Sequence, residues 1–582
     1  MKRTLLTTTL SVAGLLVFNS CGNEFLTREP QAQYSPSAIQ NNQGLEALLV
    51  GAYGQLDGIP VPGSSWYGAV SNWVFGGISS DDAYKGTDAG DQPEQTFIER
   101  YVWLPTNDHV RGKWGALYNG IARTNDVLQT IARVTDMPDA RKKQVEGEAR
   151  FLRGFYHFEA KKMWNNIPYI DEKTYDKGNP NSTKIPNDKN AWPLIEADFT
   201  AAAAALPDAF DGQPGRATKW AATAMLARCK MFQAFDPYTG APNTAALQAA
   251  KTLLDQIIAS GRFGLTDKYG DNFSANPSLR NNKESVFEVQ YSLTSAADGG
   301  GNQGDGLAWP YNAGPGGCCG FYQPSQNLVN AFKTDDKGLP FVNTFNDADV
   351  TNDEGIASDQ PFTPYAGSLD ARVDHTVGRR GIPYKDWGIH AGRSWVRDQA
   401  YGGPYSPKKH VAEKAYSGVS GWLNLNANNY RYLRYAHILA YAAEVETEIG
   451  SLEKARDYVN QLRKRAANPA GFVLTTDNKP AANYAVGLYT VPWTDKATAQ
   501  KAVRFEERLE FGMEGTRFFD LVRWGIAEPT LNAYVAKEKN RRTFLNGAVF
   551  VKSKNEYYPI PQQEIINSAV GGQGVLKQNQ GY

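Results

Sequence analysis

The chain has 582 residues, 12% of them aromatic, and its 61 lysines and arginines balance its 61 aspartates and glutamates. This length fits one large domain or two to three ordinary ones. A net charge of zero excludes the basic surface on which nucleic-acid and anionic-lipid binders depend, so we expect no nucleic-acid partner.

The first thirty residues have the layout of an export signal. Residues 1–3 begin with a methionine and two basic side chains, residues 5–18 are mostly apolar or small, and Ser20 directly precedes Cys21. The apolar stretch is too short to anchor a protein across a bilayer. We interpret residues 1–20 as a lipoprotein signal peptide and Cys21 as the lipidated first residue of the mature chain. The alternative is an ordinary signal peptide with an incidental cysteine.

Residues 21–40 are polar and predict a tether, and residues 41–582 are expected to form a single domain. Apolar residues at three- and four-residue spacing predict helices in its first half. These helices cover residues 44–56, 66–78, 114–134, 147–164, 191–206, 216–235 and 243–259.

The helix at 147–164 has the clearest two-sided pattern. Phe151 and Phe155 lie on its predicted apolar face. Arg150, Arg153, His157 and Lys161 follow at three- and four-residue spacing and predict an opposite polar face.

The second half of the chain changes character. Alternating apolar and polar residues predict a strand at 284–291. Helical periodicity is mostly lost from 292 to 425, where Gly, Asn, Pro, Trp and Tyr dominate, and we expect ligand-facing loops there and at 57–110. Further helices are predicted at 430–449, 451–466 and 499–511. The expected fold is mainly α, with tetratricopeptide-like helix pairs, long aromatic-rich loops and a few short strands.

Residue patterns that support common catalytic sites are missing. Gly299–Gly304 matches GxGxxG, but no helix pattern opens after it, as a dinucleotide site requires. Asp81 and Asp82 are candidates for a hydrolytic carboxylate pair by residue type alone. The acids within residues 504–524 alternate with arginines at helical spacing, which indicates a structural ion-pair lattice. We therefore expect no enzyme and no cofactor.

One acidic cluster allows two interpretations. It could hold a structural calcium ion, or it could be a solvated polar loop. Its members are Asp347, Asp349, Asp353 and Glu354.

The cysteines beyond Cys21 fall into two groups. Cys229 lies in an alanine-rich helical pattern and is expected to be a small buried apolar residue. Cys318 and Cys319 are adjacent and either close a vicinal disulfide or remain two thiols.

Aromatic side chains in loops provide flat surfaces on which neutral polar ligands stack. Three loop clusters supply candidate carbohydrate-binding residues, although each ring could instead pack beneath its loop. Trp73 and Phe321 are predicted to be core residues instead. The candidates are Trp66, Asp82, Tyr84, Trp309, Tyr311, Cys318, Cys319, Arg393, Trp395 and Tyr401.

Residues 504–525 read Arg-Phe-Glu-Glu-Arg-Leu-Glu-Phe-Gly-Met-Glu-Gly-Thr-Arg-Phe-Phe-Asp-Leu-Val-Arg-Trp-Gly. This run closely resembles the C-terminal signature of the SusD/RagB family of outer-membrane nutrient-binding lipoproteins. Residues 21–30, 114–125, 147–156 and 558–566 resemble other motifs of that family. The stretches 57–110 and 292–425 match poorly, as expected for a ligand-specific face.

The resemblance implies a non-catalytic binding protein on the extracellular face of the outer membrane. Its partner would be a SusC-like TonB-dependent transporter, which the protein would cover as a lid. Ligands in this family are usually oligosaccharides or polysaccharides, and peptides in the RagB branch. A neutral face rich in Trp and Tyr favours sugar over peptide. A surface glycoside hydrolase is a third hypothesis, for which no motif supplies the carboxylate pair.

Overall fold

The computed structural model describes residues 39–58, 65–292, 301–418 and 424–582. The predicted signal peptide, Cys21 and most of the predicted tether lie outside these ranges. Within the described ranges, no helix combines the length and apolar composition needed to cross a membrane.

Most of the ordered structure is helical. The helices are α1 (Asn42–Gly54), α2 (Pro93–Glu99), α3 (Asp108–Thr130), α4 (Asp139–Trp164), α5 (Trp192–Ala205), α6 (Lys219–Met231), α7 (Thr244–Ala259), α8 (Gln326–Ala331), α9 (Val373–Thr376), α10 (Gln399–Gly402), α11 (Tyr435–Ile449), α12 (Leu452–Ala466), α13 (Lys496–Phe511), α14 (Arg517–Arg523), α15 (Ala527–Glu538) and α16 (Gln562–Asn567).

The strands are short. They are β1 (Ala83–Gly86), β2 (Ser285–Val289), β3 (Phe321–Pro324), β4 (Val377–Gly378), β5 (Ser406–Pro407), β6 (Tyr430–Arg434), β7 (Ala569–Val570) and β8 (Gln573–Gly574). They form two-stranded antiparallel sheets that pair β1 with β3, β2 with β6, β4 with β5 and β7 with β8.

The long helices form a scaffold in which chain neighbours pack on each other. Helices α3 to α7 pack in sequence, α7 contacts α11, and α11 packs on α12 and α13. Small residues bring the backbones close: a Cβ added at Gly154 of α4 would lie 3.1 Å from the Phe199 ring of α5. The mainly α fold with helix pairs is therefore confirmed.

Helix α4 differs from its prediction in two ways. It begins at Asp139 and not near residue 147. Most of its predicted polar face is also buried, including Arg153, His157 and Lys161. For Arg153 a neighbouring helix supplies the partner that makes burial tolerable, since its Nη2 lies 2.7 Å from Asp198 Oδ1 of α5.

The predicted helix at 430–449 is wrong over its first five residues. Tyr430–Arg434 forms strand β6 and pairs with β2, with Phe287 opposite Leu433. Pairing with a strand about 145 residues earlier in the chain is a tertiary effect that local periodicity does not report. The predicted strand at 284–291 is confirmed as β2.

The predicted loop regions contain short elements and core residues. Residues 66–78 form a 3₁₀ turn at Ser65–Tyr67 and a π-helical turn at Trp73–Ile78, in place of the expected helix. Trp73 and Phe321 are buried with ring centroids 6.2 Å apart, which confirms both as core residues. Cys229 is buried and reduced, as expected.

Candidate functional site

Three of the predicted loop segments meet on one surface. A Cβ added at Gly320 would lie 3.3 Å from Tyr311 Cβ and 3.7 Å from both Arg397 Cβ and Thr87 Cα. The Thr87 N–H donates to the Gly320 carbonyl (2.5 Å), and the Tyr311 N–H donates to the Trp395 carbonyl (2.8 Å). We call the surface formed by segments 87–91, 309–320 and 393–401 the loop face.

A small separate core supports the loop face from beneath. Trp309 and Trp395 are buried in it with Tyr384, apart from the main hydrophobic core. The Trp395 ring centroid lies 5.5 Å from that of Tyr384 and 4.7 Å from that of His390. Trp309 lies in a loop beside Pro310, as predicted, whereas Trp395 ends a 3₁₀ turn at Arg393–Trp395. Both large apolar rings gain more from burial than from exposure. Both tryptophans therefore support the surface and do not offer an open ring to a ligand.

Tyr311 is the candidate aromatic residue that remains partly open on the loop face. The Arg397 guanidinium lies 5.2 Å from the centre of its ring. Arg397 also pairs with Asp88 (Nε to Oδ2, 2.8 Å) and Asp91 (Nη1 to Oδ2, 2.6 Å), and both acids are about one third exposed. This contact holds the Tyr311 ring on one side, while Arg393 is exposed nearby on the same surface.

The vicinal disulfide is formed. Cys318 and Cys319 are bonded to each other, with Cys318 partly exposed and Cys319 buried. The Asn424 side-chain amide donates to the Cys318 carbonyl. The disulfide therefore belongs to segment 309–320 of the loop face, and Cys318 is its partly exposed member.

Lys85 belongs to the first aromatic loop cluster of the sequence but not to the candidate binding residues, and it organises one of the three segments. Its side chain is buried and donates to the carbonyls of Asp88 and Asp91, each at 2.7 Å. Burial lowers the pKa of Lys85 to about 8, although the nearby acids oppose that shift. Asp88 and Asp91 are likewise absent from the sequence-based candidates. The pattern that points to them is a pair of acids three residues apart in a glycine-containing loop, directly after the aromatic cluster that ends at Lys85.

Tyr401 is buried at the border of the loop face. Its ring stacks on Phe544 with centroids 4.3 Å apart, and its hydroxyl hydrogen-bonds the Thr96 hydroxyl at 2.8 Å. Lys85 Nζ lies 4.8 Å from the centre of the Tyr401 ring. Tyr401 therefore supports the segment 393–401 and presents little surface to a ligand.

The remaining candidates lie outside the contacts that build the loop face. Asp82 is 2% exposed and pairs with Arg508 Nε at 3.1 Å. Tyr84 is buried and donates its hydroxyl proton to Glu538 at 2.5 Å. Trp66 is half-buried against the main core, edge-on to Tyr67. We therefore leave these residues out of the binding surface.

The acids that resembled a hydrolytic pair are neutralised by arginines. Asp81 and Asp82 are buried, and Asp81 lies 2.8 Å from Arg517 Nε. Burial alone would raise the pKa of Asp81, but the Arg508 and Arg517 guanidiniums outweigh it and hold that pKa at about 2. In the 504–524 run, Glu510 is buried against Arg372, Arg434 and Arg465. The structural role of these acids is therefore confirmed, but Glu510 pairs with arginines outside the run, and within it Arg523 pairs with Asp520 and Glu507.

The acidic cluster is dispersed among arginines as well. Asp349 pairs with Arg541 and Glu354 with Arg542, each at 2.6 Å, and Asp353 is buried. Among the described residues, no three or more His, Cys, Asp or Glu side chains are grouped so that they could hold a metal ion. The structure thus gives the calcium hypothesis no support.

Two family models match the chain. The first is the model of the SusD family, which matches residues 283–582. Because that match covers more than half of the sequence, it is decisive. The chain belongs to the SusD family. The second model, described as starch-binding associating with outer membrane, matches residues 24–231.

Curated relatives agree with this assignment. A SusD-like protein from Bacteroides ovatus is 23% identical over 47% of this chain and 48% of its own length. The SusD-like protein P25 of Formosa agariphila is 21% identical over 88% of both chains.

Solved structures share the fold. Surface glycan-binding protein A from Bacteroides fluxus is 23% identical and covers 93% of this chain and 99% of its own, with a TM-score of 0.65. Surface glycan-binding protein A from Bacteroides thetaiotaomicron, in complex with laminarihexaose, is 22% identical over the same shares, with a TM-score of 0.63. At these identities the comparison establishes the SusD-like fold.

Proposed function

We propose that this SusD-family protein is a non-catalytic glycan-binding lipoprotein, anchored through Cys21 on the extracellular face of the outer membrane. It captures an oligosaccharide or polysaccharide on the loop face and delivers it to a SusC-like TonB-dependent transporter, which it covers as a lid. The observation that carries the proposal is the meeting of segments 87–91, 309–320 and 393–401 around a partly open tyrosine ring.

The chemistry of the loop face suits a neutral sugar. The Arg397 guanidinium lies near one side of the Tyr311 ring. The other side of the ring is the one proposed to stack on the C–H groups of a pyranose. The carboxylates of Asp88 and Asp91 accept hydrogen bonds from hydroxyl groups, and the exposed Arg393 donates them. Cys318 adds a small apolar ridge. The buried Lys85 places Asp88 and Asp91, and the buried Cys319 places Cys318, which favours a largely preformed site.

A peptide ligand of the RagB kind is the second candidate, and a glycoside hydrolase is the third. Peptide recognition usually needs an exposed strand edge or charged pockets, whereas the charges of Arg397, Asp88 and Asp91 already satisfy one another. Hydrolysis needs two accessible carboxylates, and Asp81 and Asp82 are buried against arginines.

The deciding experiment is affinity electrophoresis of residues 22–582 through gels that contain plant, microbial and host glycans. Casein peptides are titrated in parallel by calorimetry. We expect one glycan to retard the protein without release of reducing ends. Retardation with reducing-end release would favour the hydrolase, and heat only on peptide addition would favour the peptide binder.

Tyr311→Ala tests where the retarding glycan binds. We expect its affinity to fall by about tenfold or more, the scale of one lost stacking contact. Tyr175→Ala is the matched control, since Tyr175 is also half-buried but its backbone bonds Gln129 and Asp171, outside the loop face. Equal affinity of the Tyr311 variant and the unmodified protein would move the site elsewhere.

A further inference from the structure

A second cleft lies on the helical scaffold and takes no part in the loop face. Its volume is about 430 Å³, and it opens between α4, α5, α14 and the turn that follows α6. Its lining includes charged side chains with carboxylate or backbone partners, Lys162, Arg523 and Asp236, together with five aromatic side chains and Lys161. The aromatic side chains are Trp192, Phe232, Phe235, Phe519 and Tyr557.

Lys161 is buried in the wall of this cleft without a counter-charge. The residue is 5% exposed, and Nζ donates to Asn165 Oδ1 at 2.8 Å. In the part of the chain that the structure describes, no carboxylate oxygen lies within 4.0 Å of Nζ. Nζ also lies 5.8 Å from the centre of the Trp192 ring, a cation–π contact that supplies no formal counter-charge. An ammonium has three N–H donors, and buried charges are normally paired, so this lysine still lacks an anionic partner.

The neighbouring lysine, Lys162, has the carboxylate partner that Lys161 lacks. Lys162 lines the same cleft, and its Nζ lies 2.5 Å from Glu159 Oε1. Asp236 also lines the cleft, but its Oδ1 accepts the N–H groups of Tyr238 and Thr239 in the turn after α6. Burial lowers the pKa of Lys161 to about 8, and no acid opposes that shift. A bound anion would supply the missing charge.

We propose that this cleft binds a carboxylate joined to a ring or another apolar group, with the Lys161 ammonium as counter-ion. The aromatic walls bury the apolar part, and the two N–H donors that Asn165 leaves free hold the carboxylate. The volume falls within the range of about 300–1,000 Å³ that is typical of small-molecule sites. A uronic acid of a glycan and the end of a peptide chain both offer this chemistry.

The test is calorimetry of residues 22–582 with 3-phenylpropionate and its neutral analogue 3-phenylpropionamide. We expect the carboxylate to bind about tenfold or more tightly than the amide, because a charge-assisted contact distinguishes them. Lys161→Gln should abolish that difference. Lys143→Gln should preserve it, since Lys143 is exposed on the same helix.

Lys161→Met is a second variant of similar length, and far-UV circular dichroism of both variants confirms that they are folded. Equal binding of the two probes, no binding of either, or a preserved difference in the folded Lys161 variants would overturn the proposal. Titration with glucuronate and with N-acetylphenylalanine then distinguishes a glycan uronic acid from a peptide end, because the compound that binds more tightly identifies the source of the carboxylate. Tyr311→Ala should leave these titrations unchanged, which separates this site from the loop face.

Discussion

At the scale of single residues, arginines determine what the buried acids of this protein do. Asp82, Glu510 and Glu354 look alike in the sequence as candidate functional acids. Each lies against at least one guanidinium in the folded chain. Burial alone would raise the pKa of Glu510, but the guanidiniums of Arg465, Arg434 and Arg372 outweigh it and hold that pKa well below its usual range, so Glu510 cannot readily act as a general acid. These residues therefore stabilise the fold, and the proposed binding depends on the partly exposed side chains of the loop face.

Arg508→Met should show the cost of leaving these acids unpaired. Arg508 bonds Asp82 through Nε at 3.1 Å and the Asp81 carbonyl through Nη2 at 2.9 Å, with all three residues buried. We expect the free energy of unfolding to fall by about 3–5 kcal/mol, because the variant buries uncompensated charge. Urea denaturation measures the change.

Arg262→Met is the control for this substitution. Arg262 is exposed, and its Nη1 lies 3.9 Å from Asp208 Oδ2, which is a weak surface contact. We therefore expect the free energy of unfolding to change by less than about 1 kcal/mol. Equal decreases in the free energy of unfolding of the two variants would contradict the prediction that a buried arginine is costlier to remove than an exposed one.

His157 should make stability depend on pH in a defined direction. Its ring is buried, with Nδ1 bonded to the Arg153 carbonyl and Nε2 accepting the Ile170 N–H. Burial and the adjacent Arg153 charge lower its pKa to about 3. Between the unfolded pKa of about 6.5 and this value, only the unfolded chain binds the proton, so acidification favours unfolding.

His157→Gln isolates this contribution, because a glutamine oxygen can also accept the Ile170 N–H. The stability advantage of the unmodified protein over the variant should shrink by about 1.4 kcal/mol for each pH unit below about 6.5. Urea midpoints from neutral pH down to about pH 4 measure this. A difference that stays constant with pH would contradict a buried neutral imidazole.

At the scale of elements, a few glycines allow the loop segments to approach one another. Gly320 joins the segment 309–320 to β3 in a left-handed conformation with φ of 79°. Its missing side chain also leaves room for Tyr311 and Arg397. The residue therefore serves both the backbone turn and the close packing of the loop face.

Gly320→Ala should weaken glycan binding as well as stability. A Cβ there meets the Tyr311 Cβ at 3.3 Å and shifts that ring, in addition to a conformational cost of about 1–2 kcal/mol. Gly212→Ala is the matched control, because Gly212 has φ of 69° and nothing within 4 Å of the new Cβ. We expect the control to lose stability only. Calorimetry with the retarding glycan and urea denaturation measure both effects, and equal glycan affinity in the two variants would contradict the prediction.

At the scale of the whole molecule, the proposed location at the outer membrane depends on lipidation of Cys21. Cys21→Ser should move the full-length protein from the outer-membrane fraction to a soluble fraction, because a lipid anchor supplies most of the membrane affinity. Cys229→Ser is the control, since Cys229 is buried in α6. Membrane retention of the Cys21 variant would contradict lipid anchoring, and immunoblots of separated fractions measure it.

The proposed lid role also belongs to this scale. A detergent extract of the outer membrane should yield a TonB-dependent transporter together with the lipidated protein. Tyr311→Ala should not change that yield, because the loop face is proposed to contact the glycan. Recovery of the protein alone would remove the transporter from the proposal while leaving glycan binding open to its own test.

The sequence alone determined the mainly α fold, the family resemblance and the regions where the loops lie. Periodic apolar residues and the 504–525 run are patterns among residues that are close in sequence, so they can be recognised without knowledge of the fold. The strand at 284–291 and the core positions of Trp73 and Phe321 were predicted on the same basis.

Tertiary structure decided the roles of individual side chains. Trp309 and Trp395 were expected on the surface but fill a small core, and Tyr430–Arg434 became a strand because β2 lies beside it. Lys161 was expected on a polar helix face but lines a cleft. In each case the burial of a side chain depends on segments distant in sequence, so its contribution is set by contacts that no local pattern contains.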